Sequence, residues 1–236
     1  YVYIYIYIYI YIYIYIQIYR LRMLELFLGT GSVGKVFGAD CWEVISLDIN
    51  LKANATIYAE VRTWDYTVFE TGHFDVVWAS PVCTHYSRAR TTANTPRDFV
   101  WADSLVLRAL EIIEYFKPKF WFLENPQTGL LKTRPFMLNL PYTDVDYCRY
   151  SEWGYKKRTR IWTNSGYHGR LCLGVGRCAS MDGRRHRTTA QRGARIFMGE
   201  SDKQHNSQNQ LYKIPDELCS SVAMHVNIDI ADGSIG

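Results

Sequence analysis

No run of this sequence is apolar for the ~20 residues that a bilayer-crossing helix needs. There is no basic leader followed by a small-residue cleavage site, so no secretory signal is expected. The six cysteines, Cys41, Cys83, Cys148, Cys172, Cys178 and Cys219, form no C-x-x-C pair. Scattered cysteines without a secretory signal are expected to be reduced thiols in an intracellular protein of the cytoplasm or nucleus. His168, Cys172, Cys178 and His186 include metal-binding residue types, but their spacing follows no standard zinc pattern, and no metal site is expected. The phosphate-cradling pattern G-x-x-x-x-G-K-[ST] is also missing, which argues against a nucleoside triphosphate ligand. Strong charge of either sign is absent: the net charge is +4, compatible with a polyanionic partner without requiring one.

What is present is the composition of an ordinary globular domain, 48% hydrophobic and 21% charged. The 236 residues allow one sizeable core, or a main domain with a small appendage. The first 19 residues are a Tyr-Ile repeat, which resembles no domain and is expected to lie outside the fold. Its alternation would suit a strand, though an uncharged, proline-free strand would invite edge pairing.

Residues 20–164 alternate strand and helix signals. Short apolar runs at Arg22–Leu28, Val44–Leu47, Ile57–Val61, Phe74–Ala79 and Lys119–Leu123 read as strands. Asp103–Phe116 carries apolar residues at helical spacing, with Pro118 just beyond it. Such alternation predicts an α/β fold with a mostly parallel sheet. Residues 165–210 are rich in arginine, glycine and serine and form a small basic appendage. Residues 211–236 regain helical character, with Pro215 near the start.

In open α/β sheets ligands bind at the carboxyl ends of the strands, and the polar signals cluster there. Gly29 and Gly31 follow the first strand and permit a tight turn close to a ligand. Asp48 ends the second strand, where an acid can accept from ribose hydroxyls, and Glu60 ends the third, where a carboxylate can accept from an adenine amino group. Gly29, Gly31 and Gly34 also satisfy G-x-G-x-x-G, so a dinucleotide stays open on these residues alone. Beyond the fourth strand, Ser80-Pro81-Val82-Cys83 places a thiol on a loop, where its thiolate would be a nucleophile. Glu124-Asn125-Pro126 follows the next strand; a buried Glu124 would have a raised pKa and could donate a proton. Alternation along Arg158-Thr159-Arg160 puts both arginines on one face, suited to forking onto carboxylates, phosphates or a base carbonyl.

Taken together, these motifs resemble the cytosine-5 DNA methyltransferase family over about residues 22 to 164, with a weaker echo near 211 to 219. Leu24 to Gly31 is similar to that family's cofactor motif, with Phe27, Gly29 and Gly31 in place, and Asp48 matches its ribose-binding acid. Glu60 stands where the family usually has an aspartate. The Ser80–Ser87 loop looks like the catalytic loop, with Pro81 beside the cofactor and Cys83 as nucleophile. Glu124-Asn125 and Lys156/Arg158/Arg160 fall on two further motifs. The resemblance implies a Rossmann-like S-adenosylmethionine-dependent methyltransferase fold, S-adenosylmethionine as cofactor and double-stranded DNA as partner. It implies a flipped cytosine attacked by Cys83 and protonated by Glu124. Arg160 would contact the base carbonyl and brace the catalytic loop, and Arg158 would help fix Glu124.

The sequence departs from the family at several places. Val82 replaces the proline before the cysteine, Pro126 a valine, and Lys156 a glutamine. Residues 165–210 are shorter than a usual target-recognition domain, and the closing Gly-Asn motif is not recognisable. An inactive homologue that binds DNA or cofactor only, and a tRNA cytosine-5 methyltransferase, remain alternatives. An amino-methylating DNA enzyme is disfavoured, because no Asp/Asn-Pro-Pro-Tyr/Phe motif occurs.

Overall fold

The structure is a computed structural model, and it describes residues 4–7, 20–88, 95–190 and 208–233. Most of the N-terminal repeat therefore lies outside the described residues, as does the appendage from 191 to 207.

Seven strands form one sheet in the order β3-β2-β1-β4-β5-β7-β6. They are β1 (Arg22–Leu26), β2 (Glu43–Asp48), β3 (Ile57–Tyr58), β4 (Val76–Ala79), β5 (Phe120–Pro126), β6 (Tyr142–Asp146) and β7 (Arg158–Thr163). Strands β1 to β5 run parallel, and β7 is antiparallel to both β5 and β6. The fold is therefore α/β with a mostly parallel, Rossmann-like sheet.

Side-chain alternation sends residues of each central strand to opposite faces, and both faces are covered. On one side Leu24, Leu26, Val77 and Ala79 pack against α2 (Phe99–Phe116) through Val106, Ile112 and Phe116. On the other, Met23, Val76 and Trp78 meet Phe37 of α1 (Ser32–Ala39). Leu218, Val222 and Val226 of α4 (Asp216–Ala231) complete that layer; a short helix α3 (Gln208–Tyr212) precedes it. Burial on two faces explains why the inner strands read as continuous apolar runs rather than as alternation. Helix α2 begins four residues earlier than its apolar spacing suggests, because Asp98 caps it by accepting the Trp101 amide at 2.8 Å.

The strand order turns back between β1 and β4, so the loops after these two strands diverge and open a crevice at the sheet's carboxyl edge. Both the glycine loop and the Cys83 loop leave the sheet at that point. The described part of the basic appendage carries a two-stranded hairpin, β8 (Met181–Asp182) and β9 (Arg185–His186), turned at Gly183 with φ 57°.

Candidate active site

A cavity of about 580 Å³ fills the crevice. Its wall carries Phe27, Gly29, Asp48, Glu60, Pro81, Cys83, Glu124 and Arg158. The structure thus gathers onto one surface eight side chains or backbone positions that are far apart in sequence. Gly31 sits behind the wall as the left-handed residue that starts α1, and Arg160 points elsewhere.

The glycine loop is tightly wound. Phe27, Gly29 and Gly31 all have positive φ, at 61°, 55° and 64°. Two of the three are glycines, which adopt this conformation freely; Phe27 is not, and holds a conformation that bulky side chains rarely adopt. Backbone strain of this kind is typical of ligand-binding positions. Asp48 is built into the loop: its Oδ2 accepts the Gly29 amide at 2.8 Å and its Oδ1 the Asn50 amide at 2.7 Å. Strand β3 stops at Tyr58, so Glu60 lies in the following turn rather than at the strand end, paired with Arg62 at 3.2 Å. Apolar groups including Ile49, Val61, Trp101 and Leu105 complete this half of the cavity. Two carboxylate acceptors beside an apolar slot and a glycine turn fit the ribose hydroxyls and adenine amino group of a nucleoside cofactor.

One residue here escapes a motif reading. Glu25, in the middle of β1 and 3% exposed, accepts the Gly34 amide at 2.9 Å at the first turn of α1. Burial raises its carboxyl pKa to about 7, against the pull of the Gly34 and Val33 amides. Gly34 is closely hemmed in beside it: a Cβ there would collide with the Glu25 carboxylate and come within 2.9 Å of Val44 Cγ1. Gly34 therefore serves close helix–strand packing.

At the reacting end, Cys83 is half-buried and opens to the cavity. Its loop is fixed at both ends. The Asn125 side-chain amide donates to the Pro81 carbonyl at 2.9 Å, tying the loop to the residue beside Glu124. Downstream, the Tyr86 hydroxyl donates to Asp103 at 2.8 Å, and Asp103 is held by Arg134. Arg97 also donates to the carbonyls of His85 and Ser87, at 2.8 and 2.7 Å. Val82, the departure from the family pattern, is 41% exposed on the cavity wall.

Glu124 is buried and receives the Tyr147 hydroxyl at 3.4 Å. Burial raises its pKa, while the Lys157 ammonium and Tyr147 oppose the rise. Burial also raises the Cys83 thiol, and the Glu124 charge raises it further; Lys157 pulls both groups the other way. The thiol and the carboxyl thus line one cavity, and the carboxylate charge bears on the thiol.

The arginines lie differently from expectation. In the β5–β7 pairing, Glu124 stands opposite Ile161, so its face of the sheet is that of Thr159 and Ile161. Arg158 and Arg160 share the other face, where they meet β6. Arg158 forks onto Asp146 at 2.9 and 2.7 Å, and Arg160 onto Asp144 at 2.8 and 3.0 Å. Arg160 also lies over the Tyr142 ring at 3.4 Å. Arg158 therefore does not fix Glu124 here. The cation on the Glu124 side is Lys157, whose ammonium donates to the Leu211 carbonyl at 2.9 Å.

Helices among the described residues include none long and apolar enough to cross a membrane. No protein-family model matches the chain. A curated relative does: the "Probable DNA (cytosine-5)-methyltransferase" of Frog virus 3 (isolate Goorha) is 38% identical over 175 residues, spanning 69% of this chain and 79% of the relative. Among solved structures, the Entamoeba histolytica methyltransferase EhMeth superposes with a TM-score of 0.58 at 12% identity, over 89% of this chain and 99% of that one. The structural likeness carries the fold alone, a Rossmann-like α/β sheet. The sequence relative carries the family: the chain belongs to the DNA (cytosine-5)-methyltransferases.

Proposed function

We propose that the chain transfers a methyl group from S-adenosylmethionine to carbon 5 of a cytosine flipped out of double-stranded DNA, through a covalent bond to Cys83. The observation that carries this reading is the shared cavity of Cys83 and Glu124, with Asp48 and the glycine loop at its other end.

When bound, S-adenosylmethionine supplies an electrophilic methyl group on a sulfonium. The chain's own residues do the rest. Phe27, Gly29 and Gly31 shape the floor on which the cofactor lies, Asp48 and Glu60 receive its ribose and adenine, and Pro81 walls the passage to the thiol. Cys83, as thiolate, attacks carbon 6 of the cytosine and forms a carbon–sulfur bond. Glu124, whose protonated form burial favours, donates to ring nitrogen 3, so electron density collects at carbon 5, which takes the methyl group. Loss of the carbon-5 proton then expels the Cys83 thiolate, and Glu124 recovers its proton from nitrogen 3. The pair balances because Lys157 favours both charged forms: a thiolate before attack and a carboxylate after donation. Arg158 and Arg160 act at one remove, clamping β7 to β6 through Asp146 and Asp144 and so stiffening the strand beside Glu124. Exposed arginines of the appendage, including Arg177 and Arg184, supply phosphate contacts and salt-sensitive affinity.

Transfer of labelled methyl groups to duplex DNA tests the reading, with tRNA as competitor and Cys83→Ser as control. Transfer by the native chain and none by the variant is the expected result. Bound cofactor with no transfer from the native chain would favour a homologue that only binds.

A further inference from the structure

Outside the cavity, four soft ligand atoms converge. The sulfurs of Cys148, Cys172 and Cys178 and a ring nitrogen of His186 all lie within 4.8 Å of one another. His186 Nε2 is 3.5 Å from Cys172 Sγ and 3.6 Å from Cys178 Sγ. A tetrahedral zinc ion with bonds of about 2.3 Å to sulfur and 2.0–2.1 Å to nitrogen places those atoms about 3.5 Å apart. The two separations from His186 therefore match nitrogen–sulfur edges of a zinc tetrahedron, and the other atoms lie close enough to share one ion. We infer that these four residues form a structural zinc site of the Cys₃His type, which pins the basic appendage to the catalytic sheet.

The four residues come from three separate places. Cys148 is in the 3₁₀ turn Tyr147–Arg149 directly after β6; Cys172 and Cys178 bracket a loop; His186 is on β9. That loop is shaped by Gly174 and Gly176, with φ 80° and 72°, and the Gly174 amide lies 3.4 Å from Cys172 Sγ. A backbone N–H donated to a ligating thiolate is the kind of supporting contact that orients metal ligands. The Cys172 amide in turn donates to Asp146 at 2.8 Å, the acid that holds Arg158 on the cavity wall.

A second observation is independent of this geometry. Among the described residues from 168 to 190, the buried hydrophobic group is Cys178 itself. Leu171, Leu173 and Val175 are exposed, at 44%, 44% and 61%. The segment has no apolar core of its own, and small units of that kind are held by disulfides or metals. Three thiols and an imidazole favour a soft, tetrahedral ion over magnesium or calcium. On binding, three thiol protons leave to solvent, and three thiolates with a neutral imidazole hold the dication. All four positions are filled by protein, so the ion has no open place for a substrate and is structural. His168, one of the residues with metal-binding chemistry in this region, is exposed and outside the cluster; Cys148 takes the fourth place.

The test is metal analysis of the full chain, purified without chelators and without a metal-binding tag. About one zinc per chain is expected, lost in Cys178→Ser and in His186→Ala and kept in Cys41→Ser, whose thiol is exposed and remote. Should the ligand variants fail to fold, the native chain reconstituted with cobalt(II) serves: the visible absorption of tetrahedral thiolate coordination is expected. Less than about a tenth of an ion per chain after growth with added zinc would overturn the site, as would a disulfide among the three cysteines by mass spectrometry. These readouts do not depend on methyl transfer.

Discussion

Glu25 ought to make stability fall as pH rises from acid to neutral. Its carboxyl is raised from 4.5 to about 7, first of all by burial. Between those two values the folded chain holds a proton that the unfolded chain has lost. Raising the pH therefore favours the unfolded state. The contribution is complete below about 4.5 and is gone once the pH has passed about 7. At 1.36 kcal/mol per pKa unit, the whole effect is about 3 kcal/mol. Glu25→Gln removes the titration while keeping an oxygen to accept the Gly34 amide. Urea unfolding of both proteins at several values between pH 4.5 and 8 isolates the effect, because other titrating groups cancel in the difference. The two should be closest at the acid end, and the variant should gain by up to about 3 kcal/mol at the alkaline end. Curves that stay parallel across the range would refute the reasoning and imply that the two backbone amides keep Glu25 ionised.

Gly34→Ala should destabilise by about 1–3 kcal/mol in the same unfolding assay, since the new methyl group meets Glu25 and Val44. Asp48→Ala should weaken binding of S-adenosylmethionine at least tenfold by calorimetry and loosen the glycine loop, whose Gly29 amide would lose its acceptor. Glu124→Gln should lower the rate of methyl transfer by about 10²–10⁴-fold while leaving cofactor affinity unchanged.

Much of the site was legible because its residues sit at strand ends. Gly29, Asp48, Cys83 and Glu124 each follow or end a short apolar run, and a parallel sheet brings such ends to one edge whatever lies between them. What escaped was decided by partners remote in sequence. Tyr142-Thr-Asp-Val-Asp146 carries two acids and gave no strand signal, yet Asp144 and Asp146 are satisfied by Arg160 and Arg158 across the β6–β7 ladder. The same pairing took the arginines away from Glu124. Strand β5 was expected to stop before Glu124 but runs through Pro126, which costs little because Pro126 is its last residue and lacks only a donor. The metal-binding residue types in 165–190 were visible; their meeting with Cys148 was not, because that contact exists only once β6 lies in the sheet.

The account depends above all on Cys83 reaching the cytosine ring from the wall it shares with Glu124. Duplex DNA carrying 5-fluorocytosine blocks loss of the carbon-5 substituent and should freeze the thioether. Incubation with the chain and S-adenosylmethionine should give a denaturation-resistant protein–DNA species, with Cys83 as the modified residue by mass spectrometry and none from Cys83→Ser. Efficient methylation of ordinary DNA with no such species, or an adduct on another cysteine, would contradict it.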